Sequence, residues 1–121
     1  MTEFSKEEFY KRLYSYALKI IMFVEKLPND ATCRVLGNQL LRSGTSITSN
    51  IIEAKSASSR KDYINFYTYS LKSANESKLW ISLLKDAGKC DLAEVELLLN
   101  KTQEISRILG SSIVTMKKSK I

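Results

Sequence analysis

At 121 residues, with 44% hydrophobic and 26% charged side chains, the sequence has the size and composition of one globular domain, which excludes a largely disordered chain. Only four Gly and one Pro interrupt it, a scarcity of breakers that favours long helices over a turn-rich sheet protein. The formal charge is +6 and there is no His, which excludes Ser–His and Cys–His catalytic couples and the Glu-x-x-His pairs of di-iron bundles.

The first predicted helix covers about residues 6–27. Ser5 and Glu8 have the spacing of a capping box, and Pro28 disfavours helical backbone at Leu27. Phe9, Leu13, Tyr16, Ile20, Val24 and Leu27 recur at the three-and-four spacing of one helical face. A second apolar line, Tyr10, Tyr14, Leu18 and Ile21, runs beside the first. One buried stripe does not account for both, so the second is read as an oligomer interface. The apolar run from Tyr16 to Val24 contains Lys19 and falls well short of the roughly 20 residues that span a bilayer. No amino-terminal signal segment is read, and the expected compartment is the cytoplasm.

The second predicted helix, 31–54, starts from Asp30 as its cap and follows Leu36, Leu40, Gly44, Ile47, Ile51 and Ala54. Gly44, Thr45 and Thr48 would locally suit a strand or loop, but the helical period over this length outweighs them. Gly44 with Ser43 and Ser46 would let another helix come close. On the same helix Gln39, Arg42, Ser46, Asn50 and Glu53 form a narrow polar strip about 100° from the apolar line. A polar network that sets register, within or between subunits, is favoured there over a ligand groove. Arg42 is expected to pair with a carboxylate of a facing helix, Glu76 being the best candidate.

The third predicted helix, 60–87, opens at Ser59 with Asp62 three residues on. It runs through Tyr63, Phe66, Ser70, Ala74, Ser77, Ile81 and Leu84 to Gly88, a left-handed terminator. The fourth, 92–117, opens at Asp91 with Glu94 and follows Val95, Leu98, Thr102, Ile105, Leu109, Ser112 and Met116. Short connections make successive helices antiparallel neighbours. The predicted fold is a single all-α domain over 1–121, an up-down-up-down four-helix bundle.

Cys33 and Cys90 show no metal spacing and no disulfide framework, so both are read as ordinary thiols, with no metal and no cofactor. The net charge is unevenly spread. Within 32–61, Arg34, Arg42, Lys55, Arg60 and Lys61 face Glu53 alone, and the end of the chain adds Lys117, Lys118 and Lys120. Such a distribution attracts phosphate backbones. Arg34, Arg60 and Lys61 are the first candidate contacts to nucleic acid, and Lys117 and Lys118 the second. Most of the Tyr and Phe residues fall on apolar helix faces, which favours core or subunit packing over base stacking. Glu53 and Glu76 are read as ion-pair partners rather than an acid–base pair, so no enzymatic activity is expected.

Gln39–Ala54 (QLLRSGTSITSNIIEA), Ser59–Phe66 (SRKDYINF), Ser73–Trp80 (SANESKLW) and Ile108–Lys118 (ILGSSIVTMKK) together resemble the bacterial four-helix-bundle proteins first noted in ribosomal-RNA intervening sequences. The resemblance extends from about Phe9 to Lys118 and departs at Ala54, where many members have Gly. It implies a ring-like homopentamer and no enzyme activity. It also implies kinship with the accessory variability proteins of diversity-generating retroelements, basic pentamers that assist a reverse transcriptase and bind nucleic acid. The leading expectation is therefore a basic oligomeric scaffold for structured RNA or DNA, with a protein partner such as a reverse transcriptase. The alternative is a structural or protein-interaction module with no nucleic-acid role.

Overall fold

The computed structural model describes residues 3–119, with side chains from Lys6 onward. The capping role read for Ser5 and the charge of Lys120 lie outside what it describes. Four helices follow in order: α1 Glu3–Glu25, α2 Ala31–Ala54, α3 Arg60–Asp86 and α4 Leu92–Lys118. α1 begins upstream of the predicted start and already runs through Ser5. It also stops two residues early: Lys26 and Leu27 close a tightened turn, their N–H groups bonding to Phe23 O at 3.2 Å and Val24 O at 3.1 Å before Pro28. The other predicted boundaries hold to within one residue.

The caps read from sequence at the other three helices are formed. Cys33 N–H donates to Asp30 Oδ1 at 2.8 Å, Asp62 N–H to Ser59 Oγ at 3.0 Å and Glu94 N–H to Asp91 Oδ2 at 2.9 Å. Neither acidic residue at the third position completes a reciprocal box. The Asp62 carboxylate accepts from Ser58 N–H and hydroxyl, while Glu94 turns to Lys26. Gly88 has φ +68°, and the bonds Gly88 N to Lys85 O and Lys89 N to Leu84 O, both 3.0 Å, make a Schellman ending. α2 ends at Ala54 without glycine, because Lys55 keeps right-handed backbone there.

One apolar stripe per helix fills the centre, including Leu13, Tyr16 and Ile20 of α1, Leu40, Ile47 and Ile51 of α2, Ile81 and Leu84 of α3, and Val95, Ile105 and Leu109 of α4. Small residues bring the helices together. Gly44 faces Ile20 so closely that an added Cβ would lie 2.9 Å from Ile20 Cγ2. Ser43 and Ser77 share a hydrogen bond of 2.8 Å, and Ser70 donates to Ile47 O at 2.7 Å, which satisfies buried hydroxyls across the α2–α3 seam. Thr48 donates to Leu13 O at 2.8 Å, tying α2 to α1. The locally unhelical run Gly44–Thr48 is thus helical because its small and hydroxylated side chains suit these close contacts.

The fourth seam is different. α1 packs extensively on α2 but only sparingly on α4. Its main buried link is Tyr16 Oη to Thr102 Oγ1, 2.5 Å apart. The ion pairs Arg12–Glu104 at 3.1 Å and Lys26–Glu94 at 3.2 Å span the same seam near the surface.

Candidate nucleic-acid interface

The alternating directions of the helices place the start of α3 and the end of α4 at one end of the bundle, with the start of α1 and the end of α2. Arg60 and Lys61 therefore meet Lys117 across a shallow depression of ≈ 470 Å³ that also includes Asn65 and Ser119. A neighbouring cavity of ≈ 180 Å³ adds Lys6 beside Arg60, Tyr63 and Thr115. Arg60 Nη2 donates to Met116 O at 2.9 Å, so Arg60 also ties α3 to the last turn of α4. Lys61, Lys117 and Lys118 are exposed, and no ion pair holds any of them among the described residues.

Helix dipoles sharpen this end. Lys117 and Lys118 complement the negative C-terminal pole of α4. Arg60 and Lys61 occupy the positive N-terminal pole of α3, where only Asp62 offsets them. Cations there cost some local helix stability and raise the positive potential that an anion meets.

Arg34 is not part of this cluster. It stands in the first turn of α2, at the opposite end, where its guanidinium donates to Asn29 Oδ1 at 3.2 Å. That end carries Glu25, Asp30, Asp86, Asp91, Glu94 and Glu96, and its lysines are committed: Lys89 to Asp30 at 3.2 Å, Lys26 to Glu94 at 3.2 Å and Lys85 to Glu96 at 4.0 Å. The Cys33 N–H and Lys89 hold the Asp30 carboxyl below its usual range. The bundle is polarised along its axis, basic at one end and acidic at the other.

The polar strip of α2 forms a local network. Arg42 pairs with Glu76 of α3, as its position on the strip predicts, and donates to Gln39 Oε1 from Nε at 3.3 Å and Nη2 at 2.9 Å. Ser46 donates to Arg42 O at 2.7 Å and Asn50 to Ser46 O at 2.8 Å, so both bond back onto their own helix. Glu53 is exposed. One turn beyond Glu76, the Trp80 indole N–H is buried without a hydrogen-bond partner among the described residues.

Of the second apolar line on α1, Tyr14, Leu18 and Ile21 are exposed, Tyr14 by 66% of its surface. Tyr10 is half-buried beneath Lys55, whose Nζ lies 3.9 Å from the ring centroid. Leu41 and Ile52 of α2 are exposed as well. Among the described ring-bearing side chains, Phe9, Tyr16, Phe23 and Tyr67 are buried, which takes them out of reach of a stacking base. Tyr63 and Tyr67, at the basic end, are engaged with each other, hydroxyl to hydroxyl at 3.2 Å.

Burial pushes the Cys33 and Cys90 thiols up, which keeps them protonated and weakly nucleophilic. No group of His, Cys, Asp and Glu among the described residues could hold a metal ion, and no described helix is long and apolar enough to cross a membrane.

Lys6 is the basic-end residue that sequence reasoning missed. No local signal marks it, because Lys6 meets Arg60 only where the alternation of helix directions brings the starts of α1 and α3 to the same end of the bundle.

No curated protein matches the chain. Among solved structures, it is similar to a protein of unknown function of the S23 ribosomal protein family from Bacteroides thetaiotaomicron VPI-5482. The two share 36% identity over 86% of this chain and 96% of that one, with a TM-score of 0.81. The family model described as 23S rRNA-intervening sequence protein matches residues 5–111, the span that holds all four helices apart from their outer ends. The chain belongs to the 23S rRNA-intervening sequence protein family.

Proposed function

We propose that this protein is a non-enzymatic, cytoplasmic scaffold that assembles as a ring-like homo-oligomer, a pentamer on the family resemblance, and binds structured RNA or DNA through the basic end of each bundle. The observation that carries this reading is the convergence of Arg60, Lys61, Lys117 and Lys6, distant in sequence, on adjoining surface depressions beside exposed Lys118. The exposed face of Tyr14, Leu18 and Ile21 supports the assembly. One bundle supplies few phosphate contacts, but a symmetric oligomer repeats them, and linked weak contacts gain from effective concentration.

Binding of a structured RNA or a DNA duplex is expected to weaken steeply with salt and to depend little on sequence, since phosphate contacts release counterions without reading bases. Lys61→Glu with Lys117→Glu is the appropriate variant, because Arg60 also supports α4. It should weaken binding across all sequences and flatten the log–log salt slope by about one for each phosphate-binding lysine replaced. Absence of any gel shift at about 50 mM salt, within the regime where such contacts are strong, would leave the second reading. In that reading the exposed apolar face serves a protein partner and the basic end is solvated charge.

A further inference from the structure

Between the ion pairs Arg12–Glu104 and Lys26–Glu94, the sparse α1–α4 seam opens into an apolar groove of ≈ 230 Å³. Phe23 and Leu98 form its floor, both buried, while Met22 and Leu97 form its lips, exposed by 56% and 67%. Lys19 and Lys101 stand over it from opposite helices, and no ion pair holds either one among the described residues. Its lining runs from Lys19 to Lys26 on the α1 side and from Glu94 to Lys101 on α4, a separation of seven residues on each and roughly 10 Å at the helical rise, the length of about two turns.

We propose that this groove is a docking site for an acidic amphipathic helix of a partner protein. A helix laid along it would set apolar residues at three-and-four spacing between Met22 and Leu97 and place flanking carboxylates against Lys19 and Lys101. The half-open shape suits a helix better than a small ligand, since the lips face outward and enclose nothing. The charge argues against a second copy of this basic chain. Its own exposed ridge, Tyr14, Leu18 and Ile21, has acidic neighbours only toward its two ends, at Glu7 and Glu25, with Lys11 alongside. Self-docking would lay that apolar centre on the unpaired lysines. This inference is independent of the nucleic-acid reading, because it uses neither Lys61 nor Lys117.

The test is anisotropy with a labelled designed peptide carrying Leu at three-and-four spacing and Glu on both flanks, set against the same peptide with Lys for Glu. The acidic peptide should bind in a salt-sensitive way and the basic one should not. Leu97→Glu, and separately Lys19→Glu with Lys101→Glu, should each weaken binding by about tenfold or more, while Lys61→Glu with Lys117→Glu leaves it unchanged. All these positions are exposed, so each variant should fold, which circular dichroism checks. Equal binding of both peptides, no binding of either, or binding indifferent to the groove variants would overturn the proposal. So would a change in oligomer mass on Leu97→Glu, which would make the groove a self-interface. Displacement of the peptide by RNA, with RNA binding abolished in the Lys19 and Lys101 variant, would overturn it in favour of a nucleic-acid groove.

Discussion

Gly44 is the residue on which the α1–α2 approach depends. A methyl group there would lie 2.9–3.1 Å from three carbons of Ile20, a fully buried branched side chain. Overpacking of this kind costs about 1–3 kcal/mol, against a gain of up to about 1 kcal/mol in helix propensity. Gly44→Ala should therefore lower stability in denaturant titration, although alanine is the better helix former. Arg42 should matter far less. Its pair with Glu76 is half-exposed, 55% and 35% by side chain, so Arg42→Ala should cost at most about 1 kcal/mol. Tyr16 sets a pH limit. Burial pushes its phenol from 10.0 to about 12, against the opposing effect of its hydrogen bond with Thr102. The neutral form is favoured in the fold, so the contribution is complete below about pH 10 and is lost as pH rises through about 12, a difference of about 2–3 kcal/mol. Burial drives Tyr67 in the same direction. Tyr16→Phe should flatten the alkaline decline in stability relative to wild type, as followed by chemical denaturation between about pH 9 and about pH 12.

At the scale of elements, α1 differs from the other helices. It packs on α2 through a small-residue seam, touches α4 mainly through Tyr16 and Thr102, and leaves Tyr14, Leu18, Ile21 and Met22 exposed. A helix apolar on more than one face has a further partner surface to bury. Tyr14→Glu with Leu18→Glu should dissociate the proposed oligomer by light scattering while circular dichroism keeps most of its helical signal, because neither side chain belongs to the core. A wild-type monomer at micromolar concentration would remove the assembly from the proposed function. The caps show how local chemistry terminates elements: Asp30, Ser59 and Asp91 each satisfy a first-turn N–H, and Gly88 turns α3 toward α4.

For the whole molecule, the distribution of charge along the bundle matters more than its sum. Among the described residues, Lys61, Lys117 and Lys118 carry no ion pair at one end, whereas Lys26, Lys85 and Lys89 at the other are tied to carboxylates. An oligomer that aligned its bundles in parallel would present one basic rim and one acidic rim. Polyanions should then reach the basic rim alone. Cross-linking to a bound RNA is expected at Lys61 and Lys117 and not at Lys85 or Lys89, as mass spectrometry of the cross-linked peptides would show.

Local rules, a three-and-four apolar period and side chains that cap their own helix, were enough to read four helices, their order and most of their ends from the sequence. The Arg42–Glu76 pair was legible for the same reason, since each partner sits at the edge of its own helix's apolar stripe. The start of α1 was not, because a cap motif at Ser5 marks where a helix can begin without preventing it from beginning earlier. Nor could the sequence distinguish Arg34 from Arg60 as members of one cluster. Both are cations near a helix start, and only the alternation of helix directions sends one to the acidic end and the other to Lys117. The α1–α4 groove lay further still from local reading. It follows from tertiary packing, in which α1 lies extensively on α2 and only sparingly on α4, leaving Lys19 and Lys101 to line an incompletely closed seam.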